Sequence, residues 1–308
     1  MIKNSAIRKN GLSISFITPT FSRDIERFAL LRRSLAMFAP NIPHFVYVHT
    51  EDLPLFTKRF GQQPGLNLIP TVEVLPQKVE AERLKWQSFT GKIIDSLSWR
   101  LGLRQKDFSG WKLQQIVKLE ALASSESDAV VFLDSDVILC SSFEFGQFVD
   151  AENKLRLRGT VAKNYEDFAF EVSRQILVGG DLMQPMAAFN YLHPGPSFLK
   201  RTGRVLIEHL RTIHADWHST FFRQTFPSEF SLLGYAAREL ERYDGYQIDG
   251  SDPDQWGYNV KALAELWPSI DLCKAEFGRR KFLLVQSNLD MPFCDYYPPV
   301  DALLKSLA

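Results

Sequence analysis

The stretch Asp128–Cys140, "DAVVFLDSDVILC", decides how the whole chain is read. Val130, Val131, Phe132 and Leu133 form an unbroken apolar run, the composition of a strand covered on both faces in a parallel sheet between helix layers. Two carboxylates, Asp134 and Asp136, follow with one residue between them. Ligands of open α/β sheets gather beyond the carboxyl ends of strands, and neighbouring like charges repel in a poorly screened site, so the pair calls for a positive partner. A hard divalent cation, Mn²⁺ or Mg²⁺, takes oxygen ligands from one or two carboxylates and completes its shell with water and phosphate. The plain alternative is a solvated turn after an ordinary core strand, because D-x-D is a short pattern.

Upstream, "SGWKLQQIVKLEALASSES" predicts a helix that feeds this strand. Trp111, Gln115 and Lys118 recur on one face of it, with Leu113, Ile116, Val117 and Leu119 elsewhere. Lys118 suits a phosphate as a point charge and Gln115 a ribose or sugar hydroxyl; a solvated face with a half-buried Trp is the structural alternative. "LSISFITPTFSRD" predicts a strand over Leu12–Thr18, a turn at Pro19, and Asp24 as the cap of a helix "IERFALLRRSLAMF". A strand "HFVYVHT", a helix from "EDLPLF", a strand near "TVEVLP" and a helical stretch from Ala81 to Leu103 follow. This alternation predicts a doubly wound α/β sheet. The pattern loses regularity after Asp150, a soft boundary that divides one large domain into residues 11–150 and 151–308.

Composition bounds the function. The 308 residues and 45% hydrophobic content suffice for a large core. Lys+Arg and Asp+Glu are both 36, so no general attraction to nucleic acid is implied. Cys140, Cys273 and Cys294 are scattered and odd in number, which argues against a disulfide framework or a zinc site and fits a reducing compartment. The start "MIKNSAIRKNG" has no signal-length apolar run behind it, and no segment approaches the ~20 apolar residues of a membrane span. A cytoplasmic protein is expected. Arg83, Lys85, Trp86, Lys92, Trp99, Arg100, Arg104 and Lys106 mix basic and aromatic character, which would suit peripheral contact with the inner face of a membrane; a surface helix with buried aromatics is the blander reading.

With "TPTFSRD" closing the first strand, "WKLQQIVKLEAL" on the central helix and "VVFLDSDVIL" after it, the chain resembles the GT-A class of nucleotide-sugar glycosyltransferases, and in particular a poorly characterised bacterial branch of it. The resemblance covers residues 12–140; beyond them only "HPGPSFLKR", "PSEFSLLGY" and "FLLVQSN" match in pieces. It implies a Rossmann-like mixed sheet flanked by helices, with Asp134 and Asp136 holding the metal on the diphosphate of a UDP-type donor. Pro19, Thr20 and Arg23 would border the nucleotide, and the acceptor would be a surface polysaccharide or glycolipid. Many such enzymes use a late His as a further ligand; "FLLVQSN" offers Gln286 and Asn288 instead, and His193, beside Lys200 and Arg201, is the other candidate for ligand or diphosphate contact.

"FPSEFSLLGYAAREL" places Ser228 at an N-cap and Glu229 in the first turn, where the helix dipole favours an ionised carboxylate able to accept the acceptor's proton in an inverting transfer. Acidic residues are also common at helix starts, and Asp244, Asp249, Asp252 and Asp254 are rivals. "VVFLDSDVIL" resembles, too, the first motif of haloacid-dehalogenase-type phosphatases, although that motif normally opens its domain. A catalytically silent nucleotide or glycan binder is the third reading.

Overall fold

The computed structural model describes residues 8–9, 11–87, 110–161, 167–179, 189–224, 227–250, 257–259, 265, 269–285 and 293–307. Its first strands are β1 (Arg8–Lys9), β2 (Leu12–Thr20), β3 (His44–Val48), β4 (Leu66–Pro70), β5 (Ala129–Phe132) and β6 (Val137–Leu139). They are followed by β7 (Leu155–Arg158), β8 (Thr160–Val161), β9 (Phe189–Asn190), β10 (Ser197–Leu199), β11 (Tyr246–Asp249), β12 (Gly257–Asn259) and β13 (Phe282–Leu284). The helices are α1 (Ile25–Phe38), α2 (Leu53–Phe60), α3 (Gln77–Gln87), α4 (Gly110–Ser124), α5 (Asp167–Val178), α6 (Lys200–Ile213), α7 (Trp217–Arg223), α8 (Glu229–Tyr235), α9 (Ile270–Arg279) and α10 (Phe293–Leu307).

A mixed, mostly parallel sheet in the order β10-β5-β2-β3-β4 forms the centre, with β1 adding antiparallel to β2. β5, β2, β3 and β4 are parallel, and β10 is antiparallel to β5. The chain moves outward from β2 to β3 and β4, then returns to place β5 on the other side of β2. The strand order therefore reverses between β2 and β5, where open α/β sheets form a crevice at their carboxyl ends. Smaller sheets flank this one: β12-β13-β6, β11-β7 and β8-β9.

The core follows from the two-sided apolar strands. Ile14, Phe16, Val46, Val130 and Val131 have no exposed surface, and Phe28, Leu31 and Phe56 from α1 and α2 and Ile116 and Leu119 from α4 join them. Each such side chain contributes roughly 1.5–3 kcal/mol by leaving water. α4 is buried on nearly every side, Lys112, Gln115 and Lys118 included. Gly203 lets α6 lie close against it, since a Cβ there would stand 2.8 Å from Leu122 Cγ. A second cluster joins Leu30 of α1 to Ile138, Phe277, Leu283, Tyr296 and Leu304, fixing α9 and α10 beside β6 and β13.

Several boundaries differ from expectation. β2 runs on through Pro19 to Thr20, paired with β3, because β5 accompanies it only as far as Ile17 and the missing proline N–H disrupts little. The fourth strand is "LNLIP", not "TVEVLP"; Pro70 ends it and Thr71–Glu73 wind into a 3₁₀ turn. The helix expected from Ala81 begins at Gln77, and its continuation beyond Gln87 falls outside the described residues, as do Lys92, Trp99, Arg100, Arg104 and Lys106. Arg83 is 3% exposed and held by Glu51 and Glu80, which removes it from any membrane-facing row. Among the described residues no helix is long and apolar enough to cross a membrane.

Candidate active site

β5 ends at Phe132, and Val137 N donates to Asp134 O at 3.0 Å, so the two aspartates ride on a reverse turn and not on a continuing strand. The turn delivers the chain into β6, and Asp136 O accepts from Val285 N at 2.8 Å. Ser135, between the aspartates, is buried and donates to Thr20 Oγ1 at 2.8 Å. One hydrogen bond thus ties the last residue of β2 to the middle of the D-S-D turn, at the switch point of the sheet. Arg23 is exposed on the 3₁₀ turn after β2. Asp24 precedes α1 as expected but makes no capping bond; its carboxylate accepts from Arg27 Nη1 at 3.0 Å, and Arg27 Nε donates to the Tyr296 hydroxyl at 2.9 Å.

Lys118 reaches the turn from below. Its ammonium lies 2.7 Å from Asp134 Oδ1 and 2.8 Å from Glu229 Oε1, and 4.6 Å above the Phe230 ring. Burial pushes the ammonium toward neutrality, but the charges of Asp134 and Glu229 outweigh it and hold the Lys118 pKa above its ordinary value. Ser228 caps α8 as predicted, accepting from Ser231 N at 3.2 Å. Glu229 is only 4% exposed, and that burial raises its pKa against the opposing pull of Lys118, the reverse of the dipole-stabilised carboxylate expected from its place in the first turn. Gln115 Oε1 accepts from Glu229 N at 3.1 Å, whereas its buried Nε2 has no hydrogen-bond partner among the described residues. Gln115 and Lys118 therefore share one inward face, while Trp111, on the same row, is 48% exposed.

The charge balance suits a cation. Asp24, Asp134, Asp136 and Glu229 gather here with Lys118, Arg27 and Arg23; Asp134 acts on both Asp24 and Glu229, and Asp24 and Asp136 both act on Tyr296. Burial and the nearby Asp134 raise the Asp24 pKa against the pull of Arg27. Carboxylates on a turn of this kind are the oxygen ligands that a divalent ion with its own water and phosphate ligands can take. No three His, Cys, Asp or Glu side chains among the described residues form a ready-made metal cage.

The other candidates are dispersed. Lys200 N donates to Asp128 O ahead of β5, so Lys200 stands at the far end of that strand from Asp134, and Arg201 beside it pairs with Glu241 and Asp244. Neither can meet a diphosphate at the D-S-D turn, because β10 runs antiparallel to β5 and carries them away. His193 lies in the loop before β10, whose Pro196 O accepts from Phe132 N at the carboxyl end of β5. Its Nδ1 donates to Pro194 O at 3.0 Å, the charges in its field are Arg158 and Asp249, and burial lowers its pKa to about 4. Asp249 pairs with Arg158 at 3.3 Å. Asp252, Asp254, Gln286 and Asn288 fall outside the described residues. Ser135, Arg27 and Tyr296 went unrecognised in the sequence. Ser135 is the unspecified letter of D-x-D, and Tyr296 arrives only through the docking of α10.

Residues 12–306 match the family described as "Family of unknown function (DUF6492)". The chain belongs to this family. Among solved structures, this DUF6492 chain is similar to the apo form of mouse xyloside xylosyltransferase 1, at 11% identity and a TM-score of 0.45 over 91% of this chain and 99% of that one. A search of curated proteins finds no match to this DUF6492 member.

Proposed function

We propose that this chain is a metal-dependent glycosyltransferase of GT-A architecture that moves a sugar from a UDP-type nucleotide-sugar donor to a glycan or glycolipid acceptor. The observation that carries the proposal is the Thr20–Ser135 hydrogen bond. It sets an acidic turn against the end of β2, with a lysine held beneath, at the position where a doubly wound sheet receives a nucleotide. Asp134, through the oxygen not held by Lys118, and Asp136 would hold Mn²⁺ or Mg²⁺, which when bound neutralises the charge of a departing diphosphate.

The remaining roles belong to the chain's own groups. Pro19, Thr20 and Arg23 border the nucleotide, and Lys118 fixes the Asp134 carboxylate in one orientation. The Gln115 Nε2, without a partner among the described residues, is a donor kept for a ligand or a water close to Glu229. The sequence assigns Glu229 as the base that takes the acceptor's proton. Its burial and its hydrogen bond from Lys118 favour a positioning role instead, in which Glu229 holds the lysine that holds Asp134.

Thermal denaturation with a panel of nucleotide sugars, each with and without Mn²⁺, tests the proposal. A ligand at 100 times its Kd stabilises by about 2.7 kcal/mol, and a Mn²⁺-dependent rise for at least one donor, followed by release of its nucleotide diphosphate, is expected. Silence across the panel overturns the proposal. Turnover of a generic phosphomonoester in its place would identify a phosphatase using the same aspartates, and donor binding without turnover a silent binder.

A further inference from the structure

We propose that a cavity at the opposite, amino-terminal end of the central sheet binds a small organic anion, a carboxylate or phosphate carried on an apolar body. The cavity measures about 520 Å³, a volume typical of small-molecule sites, and lies between α1, α2 and the segment that enters β4. Its charged wall consists of Arg32, Arg33 and Arg59. Arg33 pairs with Asp301 of α10, and Arg59 with Glu26. Arg32 has no carboxylate partner among the described residues, although it is 5% exposed.

The three nitrogens of Arg32 are fixed by neutral acceptors. Nε donates to Gln63 Oε1 at 3.1 Å, Nη1 to His44 Nδ1 at 3.0 Å and Nη2 to Pro64 O at 3.4 Å. Because His44 Nδ1 accepts, its Nε2–H donates to Thr18 Oγ1 at 2.8 Å, and burial together with the Arg32 charge keeps the ring neutral. A guanidinium has five N–H donors, so two remain after these contacts. Its orientation is set and its charge is uncompensated. Buried charges are normally paired, because an isolated ion in an interior loses its hydration with nothing in return; burial alone moves the Arg32 pKa down to about 10. The rest of the lining includes Ala29, Ala36, Pro40 and Phe60, which would receive an apolar body and not water alone. The three guanidiniums meet two carboxylates, of which Asp301 is shared with Lys305, so positive charge is left for a ligand to meet, and a carboxylate or phosphate matches the flat donor pattern of arginine.

Calorimetric titration in EDTA, which keeps divalent metal from the D-S-D turn, tests this with phenyl phosphate, benzoate, inorganic phosphate and phenol as probes. Phenyl phosphate or benzoate should bind wild-type protein saturably at one site, inorganic phosphate more weakly and phenol not at all. Arg32→Met removes the charge, and Ala36→Trp fills the cavity from its exposed side while leaving the arginine in place; each should weaken binding at least tenfold. Asp134→Asn should bind as wild type does. If Arg32→Met fails to fold, because His44 and Gln63 lose their partner, Ala36→Trp still decides. The proposal is overturned if neither aromatic anion binds wild-type protein saturably, if Ala36→Trp binds as tightly as wild type, or if phenol binds as well as the anions.

Discussion

At the carboxyl end of the central sheet, Asp24, Asp134, Asp136 and Glu229 face Lys118, Arg27 and Arg23; at the amino end, Arg32, Arg33 and Arg59 face Glu26 and Asp301, the latter shared with Lys305. α1 connects the two, with Arg27 toward one end and Arg32 and Arg33 toward the other. The surpluses differ in sign and also in what surrounds them. The acidic one sits on a turn, where Asp134 has a 47% exposed side chain that water can solvate. The basic one is a guanidinium enclosed by the fold. Lys118 is as deeply buried as Arg32, yet two carboxylates close around it. Of these two buried cations, Lys118 is closed in by carboxylates and Arg32 is met by neutral acceptors alone among the described residues.

The sharpest way to break that distinction is to remove the paired cation. Lys118→Met leaves Glu229 a buried carboxylate without its partner, and breaking a buried pair on one side typically costs about 3–5 kcal/mol. Urea denaturation should register a loss of that size, and the double variant Lys118→Met/Glu229→Gln should regain a large part of it, as coupled neighbours do. The sequence alone predicts the opposite, a melting temperature that hardly moves, because spacing shows that Lys118 shares a face with Gln115 but not that the face points inward. An unchanged midpoint would mean that the Lys118–Glu229 contact contributes nothing to the fold.

The second prediction addresses the acidic end. Asp136→Asn keeps the turn, since its main-chain bond to Val285 does not involve the side chain, but removes one charge from the surplus. Mn²⁺ and donor affinity should fall together, each by about 10–100-fold as for other disturbed metal sites. Isothermal titration gives both constants, and an unaltered Mn²⁺ affinity would remove Asp136 from the ligand set.

What the sequence made legible follows from range. α1 coincides with the predicted Ile25–Phe38, and the Ser228 cap and the β5 run were readable, because each is written in neighbouring residues. The D-x-D pair was visible as chemistry and its turn only as the plain alternative, since the bond from Val137 to Asp134 competes locally with strand extension and is settled by β6 pairing with β13 across the fold. Lys118 was chosen for the right neighbourhood and the wrong surroundings. Lys200 was chosen because it follows "HPGPSF", and it fails because an antiparallel strand reverses which end a residue reaches. The surplus charge of Arg32 leaves no local mark: "LLRRSL" reads as an ordinary basic patch on a helix until Gln63, Pro64 and His44 converge on one of its two arginines.

Glu229→Gln sharpens the role of the second carboxylate. Gln keeps an acceptor for Lys118 but removes the charge, so a positioning residue should show a rise in donor KM, with kcat/KM falling about tenfold, equivalent to ~1.4 kcal/mol of lost transition-state stabilisation. Loss of a general base has another signature, a fall of about 10²–10⁴-fold in kcat with donor KM unchanged. Steady-state kinetics at saturating acceptor separate the two, and the second pattern would restore Glu229 to the chemical step.

The smallest expected effect lies at the amino end and depends on pH. His44 is fully buried between Arg32, Thr18 and the rings of Phe16 and Phe28, and burial, with the Arg32 charge added, depresses its pKa well below 6.5. The unfolded chain takes up a proton below pH 6.5 that the folded chain refuses, so this site's contribution is fully present above 6.5 and is lost progressively as the pH falls toward the folded value. One proton sets a slope of at most about 1.4 kcal/mol per pH unit. Urea midpoints between pH 7.5 and 5.5 should therefore decline more steeply for wild type than for His44→Asn, which cannot titrate. An anion in the neighbouring cavity should flatten the wild-type decline, because its negative charge offsets that of Arg32 and makes a protonated His44 less costly. Equal slopes for wild type and variant would show that His44 takes up its proton in the folded protein as easily as in the unfolded chain, and that Arg32 is not the uncompensated charge beside it.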